Sequence, residues 1–258
     1  LRLDQYLVEK GLAPTREKAQ ALILAGMVLV DGKLVDKPGS KVKEGSKVEI
    51  KEPFKYVSRG GYKLENALDR LGLSVEGFVA LDVGSSTGGF TDCLLQKGAK
   101  RVYAVDVGKA QMDQKLRKDS RVVLYEETDA RELTEKHVPE KVDIITMDVS
   151  FISSTALLPN VVRFLKEDGL LLVLVKPQFE LPAKYVKKGV VRDDAKKVEA
   201  ILKVAEFIKG LGYSIKRIIK AKPKGSKGNE EFFILAKRGD LGLEDLKLEA
   251  WNAVKEHV

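Results

Sequence analysis

The spacing of apolar positions divides the chain into two parts. Over residues 1–52 the apolar residues come in short bursts. Leu3, Leu7 and Val8 stand at helical spacing with Asp4 early in the turn. Ala19, Leu22 and Ile23 repeat that spacing after Thr15, which predicts a second helix capped by Thr15 and stopped at Gly26. Val28-Leu29-Val30 and Lys33-Leu34-Val35 flank Asp31-Gly32, the pattern of a tight two-residue hairpin. A third strand is expected over 47–51. These elements make a small α+β domain over 1–52, followed by a short linker at 53–58.

From residue 59 onward strands alternate with helices. A helix is expected near 62–71. Strands are expected at 79–83, 101–106, 122–125, 142–147, 170–175, 213–221 and 231–237, with helices near 89–97, 153–166 and 194–210. This alternation predicts a parallel α/β sheet in a domain over 59–239. The last two strands are joined by a short Lys/Gly loop and read as an antiparallel hairpin. Residues 240–258 read as a final amphipathic helix.

Composition narrows the chemistry. Among 258 residues, 46 are Lys or Arg against 38 Asp or Glu, a net charge of +8 that favours polyanionic partners such as nucleic acid. Residues 1–63 carry 13 of those cations and 8 of the acids. One cysteine and two histidines leave no intrachain disulfide, argue against a zinc site and pass proton transfer to Lys, Asp, Glu or Tyr. Cys93, beside Leu94 and Leu95, reads as core. The longest apolar runs, such as 170–175, are too short to span a bilayer, and no secretory-type signal opens the sequence. A soluble protein of the reducing cytoplasm, with neither membrane nor metal as partner, is the expectation.

The sharpest local pattern is Asp82-Val83-Gly84-Ser85-Ser86-Thr87-Gly88-Gly89-Phe90, between a strand and a helix. Glycines there let a ligand approach the backbone, and the helix N-terminus offers free N–H groups. The spacing fits neither the dinucleotide fingerprint nor a P-loop. Asp82 would repel a pyrophosphate but would favour the ammonium or sulfonium of S-adenosyl-L-methionine. Asp106 ends the next strand, where it suits ribose hydroxyls. Asp129 follows the third strand and is expected to meet the adenine amino group, and Asp148 ends the fourth. Singly, each acid is better explained as a helix cap. Together, at successive strand ends, they outline a nucleoside cofactor site.

Several motifs now add up to a resemblance. Alongside the glycine loop stand Asp148-Val149-Ser150-Phe151, Val175-Lys176-Pro177-Gln178-Phe179-Glu180 and Gly228-Asn229-Glu230-Glu231-Phe232-Phe233. Together they resemble the TlyA (haemolysin A) family of FtsJ-like ribosomal RNA methyltransferases. Residues 2–4, 25–28 and 30–32 resemble an S4 RNA-binding domain. The resemblance covers nearly the whole chain, and the motif set is specific although each piece alone is weak. It implies a Rossmann-like methyltransferase sheet, mostly parallel with one antiparallel strand, behind a small S4-like domain. It also implies 2′-O-methylation of cytidine in ribosomal RNA or ribosomal subunits, with S-adenosyl-L-methionine as cofactor.

It further implies a catalytic tetrad at Lys63, Asp148, Lys176 and Glu231, with Glu230 as the competitor for Glu231. A ribose hydroxyl needs its proton removed as it attacks, and a lysine serves as base where burial or a second cation favours its neutral form. Lys176, at the end of an apolar strand, is expected to be that base, with Lys63 nearby and the two acids orienting the lysines. Arg2, Arg16, Lys18, Lys33, Lys37, Lys41 and Lys43 are candidate RNA phosphate contacts, as are Arg59, Lys187 and Lys188. Residues 184–192 read as a mobile basic loop over the target nucleotide, and 222–227 as a second basic loop. Tyr62, Phe151 and Phe179 are candidates to stack a base, although Phe151 is expected in the core. Two other readings remain open: a non-catalytic RNA-binding or assembly factor, and a pore-forming haemolysin.

Overall fold

The computed structural model describes residues 1–51 and 55–257. The chain divides into two compact units, Leu1–Lys55 and Tyr56–Val258. Residues 53 and 54 of the expected linker, Pro53 among them, fall outside the described residues.

The N-terminal unit contains α1 (Leu3–Glu9), α2 (Arg16–Leu24), β1 (Val28–Val30), β2 (Lys33–Leu34) and β3 (Val48–Ile50). Thr15 caps α2 as its spacing predicts, its Oγ1 accepting from Lys18 N at 3.2 Å. β1 pairs antiparallel with both β2 and β3, and Val30 faces Lys33 across Asp31-Gly32. Both turn residues have positive φ (+51° and +79°), the geometry that matches strand twist in a two-residue hairpin. Leu3, Leu7, Ala13, Ala19, Ile23 and Val28 form a small buried core.

The C-terminal unit runs α3 (Arg59–Leu71), β4 (Val79–Val83), α4 (Gly89–Gln96), β5 (Arg101–Val105), α5 (Gln114–Arg117), β6 (Val122–Tyr125), β7 (Val142–Met147), α6 (Leu158–Val161), β8 (Leu165–Val175), α7 (Pro177–Glu180), α8 (Asp194–Gly210), β9 (Tyr213–Lys220), β10 (Phe232–Arg238) and α9 (Leu246–Lys255). Seven strands form one sheet in the order β6-β5-β4-β7-β8-β10-β9. β6 through β8 pair in parallel, and β10 is antiparallel to both neighbours. Each sheet face carries its own core. One packs Leu81, Ile145 and Val173 beneath α8 and α9, and the other packs Ala80, Ile144 and Leu172 against α3 and α4. Strand order reverses beside β4, so the loops after β4 and β7 meet where open α/β sheets bind ligands.

Two expectations need correction. The helix expected over 153–166 is broken into 3₁₀ turns at Ser154–Ala156 and Val162–Phe164 around the short α6. Ser153 Oγ accepts from Thr155 N at 3.2 Å, and Pro159 sits in the first turn of α6, so local caps replace a continuous helix. β8 then begins five residues earlier than expected, at Leu165, through an exposed Lys166-Glu167-Asp168 run beside a register shift against β7. The C-terminal tail gains a place: Leu246, Ala250, Ala253 and Val254 of α9 join the core beneath α8. Among the described residues no helix is long and apolar enough to cross a membrane.

Candidate active site

The glycine loop is fixed from below by Asp82. This acid is fully buried in β4, where it accepts from Thr91 Oγ1 of α4 at 2.7 Å and from Thr146 Oγ1 of β7 at 3.1 Å. Burial pushes its carboxyl up to about 7, against the pull of those two hydroxyls. Asp82, expected to face a cofactor charge, lines neither cavity at the strand ends. It points into the layer between sheet and α4 and ties the loop's two ends together. Gly88 likewise lies outside the lining. Its φ is +103°, and a Cβ there would stand 2.3 Å from Leu116 of α5, so its smallness serves packing within the protein. Gly84 does face the site, with φ +83° and room for a Cβ only 2.1 Å from the Asp148 carbonyl.

Two adjoining cavities open at this end of the sheet. The first, of about 520 Å³, is lined by Gly84, Ser86, Asp106, Asp129 and Asp148 among others. Asp106 accepts backbone N–H groups from Ser86 at 3.2 Å and Gly108 at 2.9 Å. Asp129 caps a short turn and is held by Arg131, through Nη2 at 2.6 Å and Nε at 3.1 Å. That guanidinium also keeps the carboxyl below the usual range. Asp129 therefore lines the cavity, but with oxygens already engaged by Arg131, a neighbour the sequence reading did not single out.

The second cavity, of about 490 Å³, shares Gly84, Ser86, Asp148, Ser150 and Phe151 with the first and adds Ser85, Thr87, Gly89, Phe90, Lys63, Lys176 and Glu231. Lys63 reaches it from α3 and donates to Glu231 Oε1 at 2.7 Å, with both side chains almost completely buried. Gln178 Nε2 donates to the other oxygen of Glu231 at 2.9 Å. Lys176, between β8 and α7, lies 2.5 Å from Asp148 Oδ1 and donates to Ser150 Oγ at 3.0 Å. Two lysine–carboxylate pairs thus line one space. Glu230, in the segment leading into β10, faces the other way, toward Lys197 at 2.6 Å and Lys220.

Gln178 and Ser150 were missed by sequence reasoning. The signal for Gln178 was a polar residue two positions after Lys176, between Pro177 and Phe179. Phe151 is a correction. It is 88% exposed, has φ +65°, and its ring lies 4.8 Å from that of Phe179 at the cavity mouth, so it is not core. Tyr62 instead packs edge-on against Tyr56 at 5.2 Å and does not line the cavity. Cys93 is fully buried.

The basic candidates fall into two settings. In the N-terminal unit Lys18, Lys33, Lys37, Lys41 and Lys43 are exposed. Arg2 and Arg16 are also exposed, but both reach back to the wholly buried Asp4, at 3.0 and 3.2 Å. In the C-terminal unit Arg59 lines the second cavity and donates to the Lys224 carbonyl at 3.0 Å. Lys187 and Lys188 stand exposed in a tight turn closed by a bridge between Lys187 and Val190. Asn229 anchors that turn, so the segment expected to be mobile is tied at its tip.

The sequence matches the S4 domain over residues 1–48 and the FtsJ-like methyltransferase family over residues 56–238. A Bacillus subtilis rRNA methyltransferase candidate, YqxC, is 45% identical over 239 residues, covering 90% of this chain and 84% of its own. The 16S/23S rRNA (cytidine-2′-O)-methyltransferase TlyA of Mycobacterium tuberculosis is 39% identical over 236 residues, covering 90% and 88%. A solved structure of a hemolysin candidate from Streptococcus thermophilus superposes with a TM-score of 0.76 at 38% identity, over 98% of this chain and 94% of its own. The chain therefore belongs to the FtsJ-like methyltransferase family, in its TlyA-like form with an S4 domain in front.

Proposed function

We propose that this chain transfers a methyl group from S-adenosyl-L-methionine to a ribose 2′-hydroxyl of ribosomal RNA, on cytidine in the 16S molecule, the 23S molecule or both. The observation that carries this reading is the meeting of two lysine–carboxylate pairs and the glycine loop around one cavity. The residues fit the cofactor. The loop backbone is bare at Gly84, and Ser85 Oγ is buried without a hydrogen-bond partner among the described residues. Gly84, Ser85, Ser86, Thr87, Gly89, Phe90 and Asp106 would hold it, with Asp129 and Asp148 at the edges of the same space. When bound, it supplies an electrophilic methyl group on a positively charged sulfur.

The chain's own residues do the rest. A 2′-hydroxyl is a weak nucleophile until its proton leaves. Nζ of Lys176, acting as the free amine, takes that proton, and Asp148 with Ser150 holds the resulting ammonium. Lys63, fixed by Glu231 and Gln178, sets a second positive charge in the cavity to balance the charge growing on oxygen. Phe151 and Phe179, whose rings are tilted against each other, offer aromatic surface to a base turned out of its strand. The cations of the S4 unit contact phosphates, which positions RNA without reading its sequence.

Incubating the protein with methyl-labelled S-adenosyl-L-methionine and purified 16S RNA, 23S RNA and intact subunits tests the reading. Label should enter a ribose and protect the adjoining phosphodiester from alkali. Label on a base, or no label with any of these substrates, overturns it.

A further inference from the structure

Two basic segments of the methyltransferase unit are joined side by side. Residues 184–192 carry Lys184, Lys187, Lys188 and Arg192, and residues 222–228 carry Lys222, Lys224 and Lys227, with no Asp or Glu in either. All seven cations are exposed. Among the described residues none of the seven has a carboxylate within ion-pair distance, whereas Arg2, Arg101, Arg131 and Lys166 each have one. Seven unneutralised cations on two adjoining loops repel one another, and an arrangement of that kind favours a polyanion.

The loops are fastened by one buried side chain. Asn229 is 1% exposed. Its Nδ2 donates to the Gly189 carbonyl at 2.7 Å and to the Ser226 carbonyl at 3.1 Å, while its Oδ1 accepts from Val191 N at 3.1 Å. Every hydrogen-bonding atom of the amide is used, and it grips both segments at once. The contact is close: a Cβ on Gly189 would stand 2.8 Å from Lys227 Nζ. The joined rim also reaches the reaction space. Ser226 lines the tetrad cavity, a Cβ on Gly225 would stand 2.1 Å from Glu231 Oε2, and Arg59 holds the Lys224 carbonyl.

We propose that segments 184–192 and 222–228, joined by Asn229, form a second RNA-backbone-binding surface on the methyltransferase unit itself, separate from the S4 unit, that grips the phosphates flanking the target nucleotide. This rests on the reading that the substrate is RNA. In this arrangement the S4 unit adds affinity, and the rim fixes the strand at the mouth of the cavity. Asn229 is a positioning residue that sets where the cations stand.

The test uses the full chain, a labelled single-stranded poly(C) RNA and a series of salt concentrations. Each lost phosphate contact lowers the slope of log affinity against log salt by about 0.7 on single strands. The variant K187S/K188S/K224S/K227S is expected to lower that slope by roughly 2–3 and to bind S-adenosyl-L-methionine as the parent does. An unchanged slope with intact cofactor binding overturns the surface. Asn229→Ala keeps all seven charges, and is expected to weaken poly(C) binding about tenfold and to speed tryptic cleavage at Lys187, Lys188 and Lys227. Parental affinity and cleavage in that variant overturn the role of Asn229. If the quadruple variant changes binding to phosphatidylserine vesicles but leaves the RNA slope alone, the surface belongs to a membrane and the proposal fails. If the unsubstituted protein binds no RNA of any kind, the proposed function fails first, and is thereby told apart from failure of the rim.

Discussion

Each unit contains a fully buried aspartate, Asp4 in one and Asp82 in the other, and the two live in opposite surroundings. Asp4, beneath the S4 surface, receives Arg2, Arg16, Gln20 and the backbone N–H of Gln5. Those donors, led by Arg2, hold its carboxyl well below the ordinary range despite burial. Asp82, beneath the glycine loop, receives only two hydroxyls, and burial drives it up instead. The difference matches the tasks proposed for the two regions. Cations that face an external polyanion need a charged anchor beneath them. A loop that approaches a cofactor is fixed by an acid without a cationic partner, so no cation is buried under the ligand.

The pH dependence of stability is the largest lever on that contrast. Asp82 is protonated in the fold up to about 7 but has an ordinary value of 3.8 when unfolded. Between those values the unfolded chain binds fewer protons, so the methyltransferase unit loses stability as pH rises. The full loss is about 4 kcal/mol, from roughly 1.4 kcal/mol per pH unit. Urea unfolding followed by fluorescence of Trp251, in α9, is expected to show this decline as pH rises from 3.8 to about 7 and to show it flattened in Asp82→Asn. Equal slopes in the two proteins would break the contrast.

A somewhat smaller effect separates the neighbouring acids that lead into β10. Glu231→Gln is expected to cut turnover about 100-fold, within the range of a general acid–base contribution, while RNA affinity stays level. Glu230→Gln should lower the melting temperature, because Lys197 and Lys220 lose their shared partner, yet leave turnover of the folded protein unchanged. The reverse pattern would move the chemistry to the other face of the sheet.

Smaller again is the S4 unit's share. Arg2→Ala combined with Arg16→Ala should weaken RNA binding about tenfold and flatten its salt dependence, with single-turnover rate at saturating RNA unchanged. Asp4 contributes stability above its unfolded value, and that contribution fades as pH falls below it. Methyl resonances of Leu3 and Ile23 should therefore report loosening of the S4 unit in acid, before those of the methyltransferase unit change. Simultaneous loss in both units would erase the distinction.

What the sequence revealed depended on contrast between neighbouring residues. The hairpin at Asp31-Gly32, strands β4, β6 and β7 and helix α8 show clear periodicity bounded by turn residues, and their limits were readable. β4 also shows where contrast fails. Both of its faces are packed, so alternation could not say that Asp82 turns toward α4 and away from the cavity. The beginning of β8 was hidden by Lys166-Glu167-Asp168, whose polarity reads as a turn although the segment is an exposed strand extension beside a register shift. Phe151 misled for a related reason: in a loop no period exists, and an apolar side chain there is as free to line a cavity mouth as to enter a core. The tetrad positions came from motif resemblance. That Lys63 pairs with Glu231 and Lys176 with Asp148 needed the fold, because 168 residues separate one pair.

The role given to Lys176 is open to one direct measurement. Arginine keeps the positive charge and can still pair with Asp148, but its guanidinium does not release a proton in this pH range. With Lys176→Arg, affinities for RNA and for S-adenosyl-L-methionine should stay within a few-fold of the parent, while the single-turnover rate of ribose methylation falls by about 10³, at the strong end for loss of a general base. A variant that methylates within about tenfold of the parent would show that the proton leaves by another route.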